Sequence, residues 1–213
     1  MGREFLDIFE GWAEQYDSSV SGQDEEYKEV FEQYEAILQD TAKLAFGNVL
    51  EFGTGTGNLT MKLLNNNLNI YGIEPSKPMR DLAIEKLGNR IPIKDGDFLQ
   101  FPKPDVQIDS IVSTYAFHHL TDIEKEEAVE KYSKFLQSGS KILFADTMFE
   151  NEKSYIDTIK HAKQRGFHNL AEDLQREYYT TIPVLRNMFE KHGFDVTFTR
   201  YNHFVWLLNA TKK

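Results

Sequence analysis

The stretch Glu51-Phe52-Gly53-Thr54-Gly55-Thr56-Gly57-Asn58 follows a short apolar run and places three glycines at alternate positions. Glycine lets the backbone adopt positive φ angles and approach a ligand closely. In open α/β sheets, ligands bind at the carboxyl ends of the strands, near the loop that follows the first strand. We therefore expect this glycine loop to lie against a ligand, with the Glu51 carboxylate at its mouth.

Two common classes of ligand do not suit this loop. The phosphate loop of nucleoside triphosphate enzymes, G-x-x-x-x-G-K-[ST], is missing from the sequence. The dinucleotide pattern G-x-G-x-x-G/A, counted from Gly53, needs glycine or alanine where this chain has Asn58. The carboxylate of Glu51 would also repel a pyrophosphate, whereas it would not repel a ligand that carries an ammonium and a sulfonium group.

Two further acidic residues follow the next two predicted strands. Glu74 stands 21 residues after Gly53 and ends the second strand. A carboxylate at this place can accept hydrogen bonds from both ribose hydroxyls of a nucleoside. Asp97 follows the third strand, where its carboxylate can accept from an exocyclic amine such as adenine N6. The joint spacing of the glycine loop, Glu74 and Asp97 favours one nucleoside ligand over a set of unrelated surface acids.

The composition is that of a folded, acidic protein. Of its 213 residues, 40% are hydrophobic and 13% aromatic, which is enough to bury a core. Lys and Arg number 24 against 34 Asp and Glu, a formal charge of −10. This balance disfavours a nucleic-acid partner, because such binding depends on neutralising phosphates. The absence of cysteine excludes disulfides, thiolate nucleophiles and cysteine-ligated zinc.

Short apolar runs alternate with helical patterns between residues 48 and 148. Predicted helices begin at Asn58, at Ser76 and at Thr121, which forms a capping box with Glu124. This alternation favours a parallel sheet with right-handed crossovers. Two later runs, 194–200 and 204–210, pair most simply as an antiparallel hairpin. The predicted strands before them cover about 49–52, 68–73, 91–95, 108–113 and 141–145.

Helical segments are predicted on both sides of this core. The first lies before residue 18 and has one aromatic face, and the second begins with a capping box at Ser21 and reaches about Ala45. Mostly helical sequence also interrupts the alternation over 151–192, and its last helix begins at Thr181. We assign the aromatic face to packing, with its last member kept as a site candidate. Its members are Phe5, Phe9, Trp12 and Tyr16.

These features together resemble the class I S-adenosylmethionine-dependent methyltransferases, over about residues 46–148. The start of the chain and the stretch after the fourth strand are similar to the small-molecule branch of that class. Within this branch, the whole chain resembles the uncharacterised YrrT-type methyltransferases of low-GC Gram-positive bacteria. The motifs that carry the resemblance are the glycine loop, Glu74, Gly96-Asp97-Phe98, Asp109-Ser110-Ile111-Val112-Ser113-Thr114, Phe9-x-x-Trp12-Ala13-x-x-Tyr16-Asp17 and Ala116-Phe117-His118-His119-Leu120-Thr121.

The resemblance implies an α/β fold of the Rossmann-like kind. Its sheet would have seven mostly parallel strands with the last strand antiparallel, accompanied by N-terminal helices and a helical insertion. It also implies S-adenosyl-L-methionine as cofactor, with Gly53 at the methionine part, Glu74 at the ribose and Asp97 at the adenine. The further cofactor-site candidates from the same motifs are Glu51, Gly55 and Ser113.

The sequence says less about catalysis than about cofactor binding. Methyl transfer from a sulfonium is an in-line displacement, in which the protein mainly orients the reactants. A base is needed only where the acceptor arrives protonated. Candidates at the predicted ligand edge are His118, His119, Asp146 and Tyr16. Each of them is also explained by a structural role, such as ordering a loop.

A metal site is not expected. Adjacent histidine side chains diverge, and no other histidine or carboxylate stands at a convincing ligand spacing from His118 and His119. The Asn/Asp-Pro-Pro-Tyr/Phe loop of many enzymes that methylate base or glutamine nitrogens is replaced here by Ser113-Thr114-Tyr115-Ala116. Acceptors of that kind are therefore disfavoured.

We expect one methyltransferase domain with four parts. They are an N-terminal helical lid (1–45), a cofactor-binding core (46–148), a helical acceptor-pocket insertion (149–193) and a C-terminal β-hairpin (194–213). The first residues are charged and lack the apolar segment of an export signal. No apolar stretch approaches the roughly 20 residues that span a bilayer. These features predict a cytoplasmic protein without a membrane partner, and they carry no signal for an oligomeric state.

The leading hypothesis is an S-adenosylmethionine-dependent methyltransferase that acts on a small-molecule acceptor. An alternative is a non-catalytic module that senses S-adenosylmethionine or S-adenosylhomocysteine, because no residue in the sequence is a compelling base. A third hypothesis, an NAD-dependent oxidoreductase, is disfavoured by Asn58 and Glu51. Turnover separates the first two hypotheses, and a nicotinamide titration excludes or supports the third.

Overall fold

A seven-stranded sheet organises residues 16–213, which are the residues that the computed structural model describes. The strand order is β3-β2-β1-β4-β5-β7-β6. Neighbouring strands are parallel except around β7, which lies antiparallel to both β5 and β6. The predicted sheet and C-terminal hairpin are therefore confirmed. The strands are β1 (Asn48–Phe52), β2 (Asn69–Ile73), β3 (Ile93–Lys94), β4 (Ser110–Thr114), β5 (Lys141–Thr147), β6 (Phe194–Arg200) and β7 (Val205–Lys212).

The helices of the core begin where the sequence predicts them. Thr121 and Glu124 form both hydrogen bonds of the predicted capping box. Ser76 accepts a hydrogen bond from the N–H of Met79, as an N-cap residue does. The α-helices after residue 18 are α1 (Tyr34–Leu44), α2 (Asn58–Asn65), α3 (Lys77–Leu87), α4 (Asp122–Ser133), α5 (Glu152–Gln164), α6 (His168–Arg176) and α7 (Ile182–Lys191). None of the helices within 16–213 has the length and apolar character to cross a membrane.

The predicted start of the second helix at Ser21 is wrong, whereas its predicted end near Ala45 is confirmed by a helix that ends at Leu44. The Ser21 hydroxyl donates back to the carbonyl of Ser18 and caps nothing, within a one-turn π-helical segment, Ser19–Gln23. Regular helix begins only at Tyr34, after Gln33 adopts a left-handed φ of 63°. Three of the aromatic residues assigned to packing, Phe5, Phe9 and Trp12, lie outside the described residues.

Long-range contacts explain why the segment 24–33 does not form the predicted helix. Several of its polar groups bond to the distant insertion and hairpin, although the Phe31 N–H still donates to the Tyr27 carbonyl one turn earlier. The Tyr27 hydroxyl donates to Asp173, and the N–H of Leu170 donates to Glu26. The Val30 carbonyl accepts a hydrogen bond of 3.2 Å from the side-chain amide of Asn202. Tertiary contacts of this kind override a local helical pattern.

Both faces of the sheet are covered, and β1 is buried on each of them. Leu50 and Phe52 point into a cluster with Tyr132, Phe144 and other apolar side chains on one face. Val49 points into a second cluster on the opposite face, which includes residues of α1 and α2. Strands buried on both faces are typical of parallel α/β sheets. Glu51 shares a face with Val49, so its carboxylate lies among the buried residues below α2.

A buried lysine connects α4 to the insertion. Lys125 is 1% exposed, and its ammonium donates hydrogen bonds to the carbonyls of Leu120 and Tyr178 and to the carboxylate of Asp122. These bonds cross from the start of α4 to the chain after α6. Lys125 thus supplies a charged partner for the buried Leu120 carbonyl and joins it to the carbonyl of Tyr178, a residue that is 37% exposed.

We expect Lys125→Ala to lower the free energy of unfolding by about 2–4 kcal/mol, because the buried Leu120 carbonyl loses its charged donor and the link to the Tyr178 carbonyl is lost. Chemical denaturation monitored by circular dichroism measures this loss. Lys134→Ala is the matched control, since the Lys134 side chain is 68% exposed and pairs with Glu130 at the surface. Equal stability of the two variants would contradict the structural role of Lys125.

Candidate active site

The glycine loop lies at the point where the strand order of the sheet reverses. β1 pairs with β2 on one side and with β4 on the other, so the loop after β1 opens into the crevice between the two halves. Gly53 has φ 66°, and a Cβ there would lie 2.7 Å from the Cβ of Ala116. Gly55 has φ 55°, but a Cβ there would meet nothing closer than 3.9 Å. The backbone is therefore open to a ligand at Gly55.

A first cavity covers this loop. It is lined by four of the predicted cofactor residues, Gly53, Gly55, Glu74 and Asp97, which come from the carboxyl-terminal ends of three strands. It is also lined by Tyr16 and by the chain that follows β4. The structure thus brings together residues that are as far apart in the sequence as Tyr16 and Leu120.

Glu74 fixes the shape of the loop. Its carboxylate accepts hydrogen bonds of 2.8 Å from the N–H groups of Gly55 and of Ser76. A carboxylate has about four acceptor positions, so these two bonds leave capacity for the two hydroxyls of a ribose. Burial raises the pKa of Glu74 to about 7, although the two backbone N–H groups oppose the rise. Its ability to bind hydroxyl donors is therefore sensitive to pH near neutrality.

Asp97 is held in a tight turn after β3. Its Oδ1 accepts hydrogen bonds from the N–H groups of Leu99 and Gln100, at 2.9 and 2.8 Å. The preceding residue has to be small, because a Cβ at Gly96 would lie 3.0 Å from both the Gln100 carbonyl and Ile73. The turn orients the Asp97 carboxylate at the edge of the first cavity, next to Phe98.

Glu51 and Ser113 lie below the glycine loop. Glu51 is 1% exposed and accepts a 2.7 Å hydrogen bond from the Thr60 hydroxyl, so it does not stand at the mouth of the loop as predicted. Among the residues described, neither Glu51 Oε1 nor the Ser113 hydroxyl has a hydrogen-bond partner. Burial, together with the charge of Glu74, raises the pKa of Glu51 to about 8. A direct cofactor contact by Glu51 or Ser113 stays a prediction.

The end of the N-terminal segment is tied to the glycine loop. Asp17 accepts hydrogen bonds from the Thr56 hydroxyl at 2.7 Å, from the Asn58 amide at 3.0 Å and from the Lys86 ammonium at 2.6 Å. Asn58, which breaks the dinucleotide pattern, is thus a contact of Asp17. These bonds place Tyr16 at the rim of the first cavity.

The chain after β4 brings the two predicted histidines into a cluster. His118 Nδ1 lies 2.6 Å from Asp146 Oδ1, and His118 Nε2 lies 3.3 Å from Glu177 Oε2. The His118 and His119 rings are 4.2 Å apart between centroids. The sequence argument that the two rings diverge and lack a further ligand is therefore wrong, since His118, His119 and Glu177 each offer an atom within 4.8 Å of the others. The absence of a metal stays a prediction.

The charged groups of this cluster and burial shift the pKa values of the two histidines in opposite directions. Burial opposes protonation of His118, but the carboxylates of Asp146 and Glu177 outweigh it and raise its pKa to about 10. Burial and the neighbouring His118 charge lower the pKa of His119 to about 3. At neutral pH, therefore, His118 is a cation and His119 is a neutral imidazole.

A second cavity of about 420 Å³ adjoins the first. The two share Tyr16, Tyr115 and His119, while residues 24–31 and α6 supply much of the wall of the second. Tyr115 has an unusual positive φ of 54°, a strained backbone of the kind found at functional sites. Sequence reasoning missed Tyr115, and it also missed Glu177, which reaches His118 only through long-range folding.

Comparison with known proteins agrees with this geometry. A profile of methyltransferase domains matches residues 49–139. A protein of Anoxybacillus flavithermus, described as an uncharacterised methyltransferase, is 63% identical over 213 residues and covers all of both chains. The chain belongs to the class I S-adenosylmethionine-dependent methyltransferases. A methyltransferase of Geobacillus thermodenitrificans is 59% identical over 213 residues, which are 100% of this chain and 99% of the relative.

Solved structures show the same fold at low sequence identity. A possible histamine N-methyltransferase of Thermotoga maritima has a TM-score of 0.68 at 18% identity and covers 98% of this chain and 99% of its own. The magnesium protoporphyrin IX methyltransferase of Synechocystis PCC 6803, with bound S-adenosylhomocysteine, has a TM-score of 0.70 at 15% identity, with 97% of each chain covered. These structures show the fold alone, whereas the family profile and the curated relatives show an enzyme that uses S-adenosyl-L-methionine, as its sequence predicts. A purely sensing role is therefore disfavoured.

We expect Glu74→Gln to weaken binding of S-adenosylhomocysteine roughly 10- to 150-fold, the equivalent of ~1.5–3 kcal/mol for a charge-assisted contact. Isothermal titration calorimetry measures this loss, and Glu85→Gln, an exposed residue of α3, is the control. Because only the ionised carboxylate accepts from two hydroxyls, wild-type affinity should also rise from about pH 6 to 8, through the pKa of Glu74. Unchanged affinity in Glu74→Gln would remove the ribose assignment.

Glu51 is expected to make folding stability depend on pH. Its folded pKa of about 8 lies above its ordinary value of 4.5, so the folded state holds a proton that the unfolded state has lost between these two values. Stability due to Glu51 therefore decreases as the pH rises from about 5 to 8, by up to about 1.4 kcal/mol per pH unit. Denaturant unfolding at several pH values should show that the free energy of unfolding depends less on pH in Glu51→Gln than in the wild type. The exposed control Glu127→Gln should follow the wild type, and a Glu51→Gln profile as steep as the wild type would contradict the shift.

Proposed function

We propose that the methyltransferase transfers a methyl group to a small molecule bound in the second cavity. The observation that carries this proposal is the junction of the two cavities, which share Tyr16, Tyr115 and His119. A donor in the first cavity and an acceptor in the second would meet across these residues. Such an arrangement supplies the proximity and orientation on which methyl transfer depends.

The residues that line the first cavity suit the cofactor. S-adenosyl-L-methionine, when bound, supplies the electrophilic methyl group. We assign Glu74 to the ribose and Asp97 to the adenine, because both carboxylates line the cavity in orientations fixed by backbone hydrogen bonds. Gly53 and Gly55 line this cavity and would hold the methionine part, and the backbone of Gly55 leaves an open face. Among residues 16–213, the buried Ser113 hydroxyl near Gly53 has no hydrogen-bond partner, which supports a role for Ser113 in the same site.

The second cavity has the size and lining expected for a small-molecule acceptor. Its volume of about 420 Å³ falls within the ~300–1,000 Å³ range of small-molecule sites. Apolar side chains line one part of it, and the cluster around His118 supplies polar groups at another. The apolar residues are Val30, Phe31, Leu170, Leu174 and Phe204. A nucleic acid is a poor candidate, because the chain carries a formal charge of −10.

Two of the four predicted parts of the domain enclose the acceptor. The N-terminal part, 1–45, contributes Tyr16 and residues 24–31, held by the contacts of Asp17 and Tyr27, so we assign it the role of a lid. The insertion, 149–193, contributes α6 and Tyr179, whereas Tyr178 lies at the surface. We also propose a cytoplasmic location, which a chain without cysteine suits.

Among the four catalytic candidates, Tyr16 and His119 line both cavities and are placed to contact the acceptor. His118 lines only the second cavity, and Asp146 acts through His118, to which it is hydrogen bonded. Tyr16 is partly buried, and desolvation by the surrounding residues raises its pKa well above the ordinary value for tyrosine. It therefore enters the reaction as a neutral hydroxyl and not as a phenolate base.

A labelled-methyl transfer screen tests the proposed function. A cell extract is separated by ultrafiltration into metabolites and macromolecules, and each fraction is incubated with the enzyme and methyl-labelled S-adenosylmethionine. We expect label in the metabolite fraction, where mass spectrometry identifies the product. Glu74→Gln should lose the transfer, and Glu85→Gln should keep it. Label confined to the macromolecular fraction, or no label with a cofactor-binding enzyme, would overturn the small-molecule assignment.

A further inference from the structure

Both ring nitrogens of His118 face carboxylates that come from different parts of the fold. Nδ1 lies 2.6 Å from Asp146 Oδ1 of β5, and Nε2 lies 3.3 Å from Glu177 Oε2, which follows α6. A neutral imidazole has one N–H and can donate to only one of these carboxylates, whereas an imidazolium donates to both. The geometry therefore favours a protonated His118, whose two ring N–H groups suit both carboxylates.

Glu177 is the contact between the insertion and this histidine. Its Oε2 also accepts a 2.5 Å hydrogen bond from the Tyr179 hydroxyl, and the Tyr179 ring stacks on the His118 ring with centroids 4.9 Å apart. Asp146 contacts the opposite edge of the ring, and its Oδ2 also accepts a hydrogen bond of 3.0 Å from the backbone N–H of His118. The His118 ring is thus fixed in position by partners on its two edges and one of its faces.

The fixed cation acts on the neighbouring His119. Their rings meet edge to face at 4.2 Å, so a second positive charge on His119 would lie directly beside the first. Like charges at this distance disfavour one another strongly in a buried site. His119 also lines the first cavity, where a cationic ring would repel the sulfonium of the cofactor. A neutral His119 ring avoids both repulsions, and its unprotonated nitrogen can accept a hydrogen bond from the molecule that is to be methylated.

We propose that Glu177 is a positioning residue, which together with Asp146 holds His118 as an imidazolium so that His119 stays neutral where it contacts the methyl acceptor. The role of His119 in this scheme rests on the proposed function, because the second cavity is taken as the acceptor site. The directions of the His118 and His119 pKa values given above agree with it. The titratable and charged groups around the two rings are Asp146 from β5, Lys125 from α4, Glu177 and Tyr179 after α6, and Tyr16 and Tyr115 at the cavities.

Nuclear magnetic resonance of protein labelled with ¹⁵N-histidine tests the charge states without any acceptor. The ring-nitrogen shifts report protonation, and His118→Asn and His119→Asn assign the signals. We expect His118 to be protonated up to at least about pH 8 and His119 to be neutral down to about pH 5. A His118 that is neutral at pH 7, or a His119 that is charged at pH 6, would overturn the proposal.

Glu177→Gln should lower the pKa of His118 by about one unit or more, because one of its two neighbouring charges is lost. Glu172→Gln, an exposed residue of α6, is the matched control and should not change it. Tyr179→Phe keeps the stacked ring and the Glu177 charge, so we expect His118 to stay protonated in this variant. It provides a second test if Glu177→Gln does not fold. An unchanged His118 pKa in folded Glu177→Gln would contradict the role of Glu177. Stoichiometric binding of added Zn²⁺ by a neutral His118 would replace the proposal with a metal site.

An activity measurement separates this inference from the proposed function. With an acceptor from the labelled-methyl screen, Glu177→Gln should move the alkaline limb of the pH profile of kcat to lower pH by about one unit or more, the amount by which the pKa of His118 falls, while the KM for S-adenosylmethionine changes little. A merely structural role would affect both parameters and leave the pH profile in place. If the screen yields no small acceptor, the proposed function fails, although the charge states seen by magnetic resonance still decide the role of Glu177.

Discussion

The buried carboxylate of Glu74 is the interaction on which the cofactor site depends. It joins the end of β2 to the glycine loop after β1 and to the start of α3, through the N–H groups of Gly55 and Ser76. The same loop is also anchored by the Gly53 N–H, which donates to the Ile73 carbonyl at 2.9 Å. A charge-assisted acceptor in a desolvated place is a strong constraint on the loop. It therefore keeps the backbone of Gly55 open toward the ligand before any ligand binds.

Ionisable groups are concentrated under and around the two cavities, where burial is energetically unfavourable for each of them. Burial raises the pKa values of Glu51 and Glu74, and the charge of Glu74 adds to the rise at Glu51, whereas the carboxylates of Asp146 and Glu177 raise the pKa of the His118 between them. Perturbed groups that cluster in one cleft are typical of functional sites. The strained φ of Tyr115, at the junction of the cavities, fits the same interpretation. The two apolar clusters that cover the sheet supply the stability that offsets the burial of these groups.

Sequence reasoning succeeded where a short motif sets the local structure. The glycine loop, Glu74 and Asp97 were predicted together, and the structure places all three on the first cavity. The capping box of Thr121 and Glu124 was also predicted, because both of its hydrogen bonds lie within four residues. Local reasoning failed at Ser21, where contacts to Asp173 and Asn202 decide the conformation of the following segment. It also failed to place Glu51, whose position depends on how α2 packs against β1.

The sequence by itself determined the alternation of strands and helices, the order of the cofactor motifs and the resemblance to a methyltransferase family. These features depend on local spacing and on residue chemistry, both of which can be read directly from the sequence. Only the tertiary structure decided that Glu177 meets His118 beside the second cavity, and that Asp17 and Asn58 join the N-terminal segment to the glycine loop. Such pairs are separated by many residues, and their contact is set by the packing of the insertion and of the N-terminal segment against the sheet. No local pattern encodes that packing, so the charge states of the two histidines follow from the fold.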